Sequence, residues 1–256
     1  SAVLRAQEYS GGDARTHIRC LARVFADRRY IRVTGIPLLL VYRAGQLPNP
    51  LKTTDVLRRE AARIGIGDLY LCRVERFLED MSDPSVLGFD ASVEFQPDGV
   101  NLPAPRRGGP DSSCIIYRYQ DLAHAALSRA KPAYRRYSCV TPMWDNTARR
   151  SKGATAFTDP TPELYEQWLR VCVDRLGSVE SDHRLIFINA MNEWGEGCHL
   201  EPDRKSGSAY LEATKRALTC SPGCVGAADT LVAGRMAGVQ SADLRPGLQG
   251  QEALER

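Results

Sequence analysis

Short runs of apolar and β-branched residues recur along the first 195 positions of the chain, and each run predicts a buried β-strand. The runs are continuous and do not alternate with polar residues, which is typical of a parallel sheet that is covered on both faces. The predicted strands span residues 36–42, 68–74, 91–97, 137–144 and 184–194.

Amphipathic segments with helix start and stop signals separate most of these runs. Residues 161–176 open with Thr161-Pro162, an N-cap followed by proline at the first helical position, and stop at Gly177. Residues 54–64 have Thr54 or Asp55 as the predicted N-cap and Gly65 as the stop. Further helices are predicted over 16–26, 119–130 and 209–218.

Strands that alternate with helices predict an α/β fold with a parallel sheet. Polar and aromatic residues crowd the carboxyl ends of the predicted strands, where a TIM-type (β/α)8 barrel builds its active site. The Gly-x-Gly segment at 65–67 precedes a strand instead of following one, so a dinucleotide-binding sheet is not indicated. A barrel needs eight strands and five are found, so we expect the first strands to be missing. We expect residues 1–218 to form this barrel domain and 219–256 a poorly ordered tail.

Composition and charge narrow the function classes without naming one. The 34 basic and 31 acidic residues nearly balance, so no nucleic-acid partner is expected. Because no apolar run of about 18 residues occurs, no membrane span is expected, and the amino-terminal residues do not resemble a signal peptide. The eight cysteines are scattered, which favours reduced thiols and a cytoplasmic location.

The segment 189–203, NAMNEWGEGCHLEPD, is the most informative part of the sequence. An apolar strand leads directly into a loop with Glu193 and Glu196 on either side of an aromatic residue, Trp194. Glycosyl cleavage or transfer needs one carboxyl group as acid and a second as base or nucleophile, while a Trp ring can stack on a sugar. The competing interpretation is that these acidic residues only cap a helix or lie solvated in a loop. Cys198 has no second histidine placed to activate it and is discounted as a nucleophile.

Other residues near the strand ends are candidates for substrate binding. Trp144, Asp145 and Asn146 follow one strand, and the alternative for them is a turn whose side chains cap local backbone. Glu94 is a site residue if it points into the barrel mouth, and otherwise half of an ion pair beneath a helix. His199, Glu201 and Asp203 form an alternative cation site, although no metal and no cofactor are predicted. The substrate-binding candidates are Asn192, Trp194, Tyr42, Arg43, Glu94, Trp144, Asp145, Asn146, His199 and Glu201.

Several segments in the same order carry a resemblance to a known family. NEWGEG, within INAMNEWGEGCHLEPD, resembles the signature of the WbsX family of bacterial polysaccharide and O-antigen loci, which is similar in turn to the endo-α-mannosidases of glycoside hydrolase family 99. The supporting segments are FADRRYIRVTGIPLLLVYR, IGIGDLYLCRV, GFDASVEFQP, TPMWDNTARR and TPELYEQWL. The chain departs from the family pattern at Met191, where Trp is usual, and at its front, where the family carries further strands.

The resemblance implies a retaining mechanism with two catalytic glutamates. It assigns Glu193 as the base that deprotonates the sugar 2-hydroxyl, which displaces the leaving group through a 1,2-anhydro sugar, and Glu196 as the acid and then base. The implied function is cleavage or transfer of glycosyl units, mannose-type among them, in bacterial surface polysaccharide metabolism. The expected partners are an oligosaccharide or polysaccharide substrate and polysaccharide-assembly enzymes. The alternative is a truncated, non-catalytic carbohydrate-binding remnant of such a barrel.

Overall fold

The computed structural model describes residues 9–109 and 112–219 of the chain. The helices are α1 (Gly11–Phe25), α2 (Pro50–Arg63), α3 (Tyr119–Ser128), α4 (Pro162–Asp174) and α5 (Ala209–Thr219). The strands are β1 (Arg32–Val33), β2 (Ile36–Val41), β3 (Tyr70–Glu75), β4 (Ala91–Glu94), β5 (Cys114–Arg118), β6 (Arg136–Val140), β7 (Ala154–Thr158), β8 (Ile186–Ile188), β9 (Asn192–Glu193) and β10 (Cys198–His199). None of the helices in these ranges is long and apolar enough to cross a membrane.

One sheet, in the order β1-β2-β3-β4-β6-β8, organises the fold. Strands β2, β3, β4, β6 and β8 are parallel and lie side by side in chain order, while β1 pairs antiparallel with β2. These five parallel strands confirm the five predicted ones. Three of the predictions ran too far: β4 ends at Glu94, β6 at Val140 and β8 at Ile188, and the residues that follow form loops.

Helices cover one face of this sheet, which we call the outer face. Helices α1 and α2 bury Ile18 and Leu57 against Leu71 of β3, and α3, α4 and α5 form a second core around Trp168 and Val140. The opposite, inner face carries a separate apolar cluster: Val33, Leu38, Cys72, Ala91, Val93 and Tyr137. Since side chains alternate between the faces of a strand, the continuous apolar runs in the sequence supply both cores.

The helix predictions are confirmed, with changes at the ends. Helix α4 begins as predicted, because the Thr161 side chain accepts a hydrogen bond from the Leu164 N–H and Pro162 takes the first position. The predicted N-cap of α2, Thr54 or Asp55, is wrong. That helix begins at Pro50, where the Asn49 side chain accepts the Lys52 N–H. An Asn-Pro pair supplies the same cap-and-proline signal as Thr161-Pro162, one turn earlier than expected.

Four short strands lie outside the main sheet. β9 falls within the strand predicted over 184–194, whereas β5, β7 and β10 were not predicted. Strands β5 and β7 pair in parallel, and β9 pairs antiparallel with β10. The result is an α/β fold whose described residues form an open, six-stranded, barrel-like sheet with helices on its outer face. The tail predicted over 219–256 lies, apart from Thr219, outside the described residues. Six cysteines within the described ranges are free thiols.

Candidate functional site at the strand ends

The sequence segment with the two glutamates folds into a small hairpin after β8. Asn192–Glu193 pairs with Cys198–His199, and a turn over Trp194–Glu196 joins them. The hairpin rests on the loop that follows β6, because the Asp145 N–H donates to the Glu196 carbonyl at 2.9 Å. Gly197 permits this approach: its φ is +53°, and a Cβ there would lie 2.9 Å from the Asp145 carbonyl oxygen.

Arg149 brings the two glutamates together. Its Nη1 lies 3.5 Å from Glu193 Oε1 and 3.4 Å from Glu196 Oε1, so these two oxygens are at most about 7 Å apart. Glu193 is 44% exposed and Glu196 23%. A shared cation between two accessible carboxylates offsets their mutual repulsion and leaves both open to a ligand.

An aromatic stack holds the other side of the hairpin. The rings of Trp194 and His199 are parallel within 16°, with centroids 3.8 Å apart. Trp194 donates its Nε1–H to Glu201 at 2.7 Å, and His199 Nε2 lies 3.0 Å from Asp203 Oδ2. The Ser206 N–H, more than the His199 contact, lowers the pKa of Asp203. Because Trp194 remains 50% exposed, its outer surface is free to stack on a sugar ring.

Cys198, next to the glutamates, is a buried thiol. It lies 2.8 Å from the Asn189 carbonyl oxygen and 3.2 Å from Thr141 Oγ1. Burial raises the pKa of Cys198 to about 11, so the thiol stays protonated near neutral pH. A protonated, buried thiol is a poor nucleophile, which agrees with its dismissal from the sequence.

Aromatic rings follow several of the parallel strands and line the same edge of the sheet. Tyr42 follows β2, Phe95 follows β4 and Trp144 follows β6, with successive ring centroids 6.0 Å and 6.5 Å apart. Tyr42 is 48% exposed, and the Arg43 guanidinium lies 5.6 Å from its ring centre. The structure therefore brings Tyr42 and Arg43 to the strand ends, where the sequence predicted them.

The residues after β6 have mainly local partners. Trp144 is 3% exposed and belongs to the core, so it has no ring face free for a sugar. The Asn146 side chain accepts the Thr155 N–H of β7, and Asp145 Oδ1 accepts from the Thr147 N–H and hydroxyl. The alternative of a capped turn thus describes Asp145 and Asn146, although Asp145 also touches the glutamate hairpin.

Glu94 lies away from the other candidates. Ala91 and Val93 of the same strand point to the inner face, so Glu94 points to the outer one. There its Oε1 lies 3.1 Å from Arg136 and 3.6 Å from Arg129, beneath α3. Burial raises the pKa of Glu94, and the Arg136 charge opposes this shift. The expectation of a substrate-binding Glu94 is corrected here: the side chain is half of a buried ion pair.

Two of the remaining candidates stay close to the carboxylates. Asn192 is exposed and pairs with His199 across the hairpin, while Glu201 supports the Trp194 indole. The alternative cation site is not formed, since within 9–109 and 112–219 no three His, Cys, Asp or Glu side chains are arranged to hold a metal ion.

Sequence reasoning missed Arg149, Arg76, Phe77 and Phe95. The available signal was their position just after a strand, the criterion that selected Tyr42 and Trp144. Arg149 lies nine residues beyond β6, too far for position alone to assign it to the site.

Comparisons with known proteins agree with this architecture. A protein described as glycoside hydrolase-like superposes with a TM-score of 0.54 at 11% identity, over 82% of this chain and 61% of that one. A glycoside hydrolase family 99 endo-α-mannosidase from Bacteroides thetaiotaomicron superposes with a TM-score of 0.51 at 14% identity, over 83% of this chain and 62% of the enzyme. The fold is therefore of the kind found in glycoside hydrolases.

Sequence similarity identifies the family of this chain. The chain belongs to the family described as glycosyltransferase WbsX, which matches residues 1–214. A relative described as uncharacterized protein WxcX, from Xanthomonas campestris pv. campestris strain B100, is 40% identical over 225 residues. The match covers 86% of this chain and 32% of the relative, so the chain spans about a third of the length of the curated relatives it matches.

Proposed function

We propose that this protein is a carbohydrate-active enzyme that cleaves or transfers glycosyl units with Glu193 and Glu196 as its catalytic pair. The observation that carries the proposal is the convergence of both carboxylates on Arg149 at the carboxyl end of the parallel sheet. Their separation, at most about 7 Å, is of the order that two-carboxylate glycosyl chemistry uses. The exposed face of Trp194 beside them suits stacking on a sugar ring.

In the proposed reaction Glu193 removes the proton from the sugar 2-hydroxyl, and O2 attacks C1. The C1–oxygen bond to the leaving group breaks, and Glu196 donates a proton to that oxygen, which leaves a 1,2-anhydro sugar. In the second half Glu196 removes a proton from water or an acceptor hydroxyl. The new oxygen bonds to C1, the C1–O2 bond opens, and Glu193 returns the proton to O2, so the anomeric configuration is retained.

Arg149 is proposed to hold both carboxylates at the reacting centre. A Cβ on Gly195 would lie 3.3 Å from Glu193 Oε1 and 3.4 Å from Arg149 Cδ, so the arginine crosses directly over the hairpin turn. Such a cation keeps two neighbouring carboxylates in place before the sugar arrives, and this lowers the cost of reorganisation during the reaction.

The fold supports a wider proposal about architecture and role. We propose that the described sheet is the carboxyl-terminal part of a TIM-type (β/α)8 barrel, with residues 1–218 in that domain. Glycans of bacterial surface polysaccharide metabolism are the proposed substrates, in keeping with the WbsX family. The reaction is hydrolysis if water completes it and transfer if a sugar hydroxyl does.

The test is turnover of a panel of α-mannosides and bacterial surface oligosaccharides by the protein and by its Glu193→Gln and Glu196→Gln variants. We expect each substitution to lower kcat by at least about 100-fold, because general acid–base groups contribute that much or more. Glu180→Gln is the matched control: its side chain is 80% exposed and carries the same charge away from the hairpin. Full activity in both catalytic variants would exclude the mechanism. Glycan binding by all variants without turnover would favour the carbohydrate-binding remnant.

A further inference from the structure

Two arginines at the strand ends interleave with aromatic rings. Arg43 follows β2, and its guanidinium carbon lies 5.6 Å from the centre of Tyr42 and 5.1 Å from that of Phe77. Arg76 follows β3 and lies 5.5 Å from Phe77 and 4.4 Å from Phe95. We call these five residues the arginine–aromatic cluster. Stacking on ring faces fixes the planes of the guanidinium groups and leaves their edges to donate hydrogen bonds.

Neither arginine of this cluster forms an ion pair with another described residue, unlike Arg149. The carboxylates nearest in sequence have other partners. Asp80 accepts the backbone N–H groups of Arg76 and Phe77, Asp98 accepts two N–H groups in its own loop, and Glu79 is exposed.

One nitrogen atom of Arg76 lacks a hydrogen-bond acceptor in the part of the chain that the structure describes. Its Nη1 is buried and has no hydrogen-bond partner among the described residues. A buried charged donor without an acceptor is costly, so such groups are normally paired. Arg76 as a whole is only partly buried, so a ligand oxyanion that approaches its accessible atoms would pair the charge that the described residues leave unpaired.

The cluster shares the sheet edge with the glutamate hairpin. The ring centroids of Phe95 and Trp144 are 6.5 Å apart. Asp145, the residue after Trp144, donates its backbone N–H to the Glu196 carbonyl of the hairpin. Asn189, at the end of β8, donates its side-chain N–H to the Gln96 carbonyl at 2.8 Å, which ties the ends of β8 and β4 together. These contacts place Arg76 and the carboxylates at the same edge of the sheet, so an oligosaccharide bound at the carboxylates and extended along this edge reaches Arg76.

Resting on the proposed function, we propose that Arg76, with Arg43 beside it, binds an oxyanion on the glycan, so that the substrates are acidic oligosaccharides. A guanidinium matches a uronic acid carboxylate or a sugar phosphate with two parallel hydrogen bonds. Glu193 and Glu196 already share Arg149, whereas Arg43 and Arg76 form no ion pair with a described residue and keep their charges for an anionic sugar.

The experiment measures binding, so it does not depend on turnover. Trimers of mannuronic, glucuronic and galacturonic acid are titrated into the protein at low salt, each beside its carboxyl-reduced, neutral counterpart. Mannose 6-phosphate beside mannose forms a second arm that separates phosphate from carboxylate recognition. We expect at least one acidic ligand to bind about tenfold more tightly than its neutral counterpart, the factor that one charge-assisted hydrogen bond provides.

Variants locate the effect on Arg76. Arg76→Gln is expected to abolish the preference for the acidic ligand while binding of the neutral one is unchanged, and Arg76→Lys to restore part of it. Arg43→Asn, which tolerates the left-handed φ of 56° at this position, is expected to reduce the preference and keeps the test valid if Arg76→Gln does not fold. Arg28→Gln, exposed in the loop after α1, removes the same charge away from the strand ends.

Each result decides the proposal. No preference for any acidic ligand, or an unchanged preference in the folded Arg76→Gln and Arg43→Asn variants, overturns it. Repeating the titrations with Glu193→Gln separates the two proposals: a charge preference that persists in a protein without turnover supports the subsite even if the catalytic roles are wrong.

Discussion

Gly197 offers a direct test of how the glutamate hairpin is held against the loop after β6. Its φ is +53°, and a Cβ at this position would lie 2.9 Å from the Asp145 carbonyl oxygen and 3.2 Å from the Asp145 nitrogen. Both are backbone atoms, so Gly197→Ala cannot be accommodated by rotating a side chain. The hairpin must move away from the loop, and Glu193 and Glu196 move with it.

Gly207 is a matched control because it isolates the close contact from the backbone conformation. Its φ is +55°, and no atom lies within 4 Å of the Cβ that would be added. A left-handed residue other than glycine costs about 1–2 kcal/mol, and both alanine variants carry this cost. Gly197→Ala adds a steric term that in tightly packed sites is typically 1–3 kcal/mol.

The assay is urea unfolding of both variants, with the free energy of unfolding taken at unchanged m-value. We expect Gly197→Ala to be less stable than Gly207→Ala by about 1–3 kcal/mol, the steric term alone. We also expect its turnover, measured well below the melting temperature, to fall at least about tenfold, since small displacements of positioned groups are costly in catalysis. Equal stabilities would refute the contact between the hairpin and the loop. Equal turnover would refute the link between this contact and activity.

Two further predictions concern cysteine reactivity and pH. In the native protein at pH 8, iodoacetamide should label the exposed Cys20 but not Cys198, whose pKa burial raises to about 11; labelling of Cys198 at the Cys20 rate, read by mass spectrometry, would contradict its burial. Hydrogen bonds from Arg63, and then from Arg19, lower the pKa of Glu60 to about 2 from its ordinary 4.5. The stabilisation by Glu60 is therefore complete above pH 4.5 and is lost as the pH falls towards 2, so Glu60→Gln should flatten the acid dependence of the melting temperature in that window, whereas an unchanged slope would count against the pairing.

Local sequence determined the parallel strands and most of the helices. Apolar runs marked β2, β3, β4, β6 and β8, because a strand covered on both faces buries the side chains of both. Arg73, Glu75 and Glu94 are charged exceptions, and they are buried too. Thr161-Pro162 fixed the start of α4 through its own backbone geometry. At the start of α2 the local signal was Asn49-Pro50, which the prediction of Thr54 or Asp55 passed over.

The sequence also located the segment with Glu193, Glu196 and Trp194, since the three lie within four residues of one another after a strand. It could not establish that Glu94 belongs to a buried ion pair, because that depends on Arg129 and Arg136, which lie 35 and 42 residues further along the chain. Alternation places Glu94 on the face opposite to Ala91 and Val93. Which face that is becomes known only from the inner cluster to which those two residues belong.

Only the tertiary structure brought Arg149 to the two glutamates and Arg76 to Phe95. These contacts join loops after different strands, and their distances depend on how parallel strands align their carboxyl ends at one edge of the sheet. Residue type and spacing determine the local elements, because those depend on neighbours a few positions away. The charge balance of the site depends on residues more than 40 positions apart, and the sheet alone sets which of them meet.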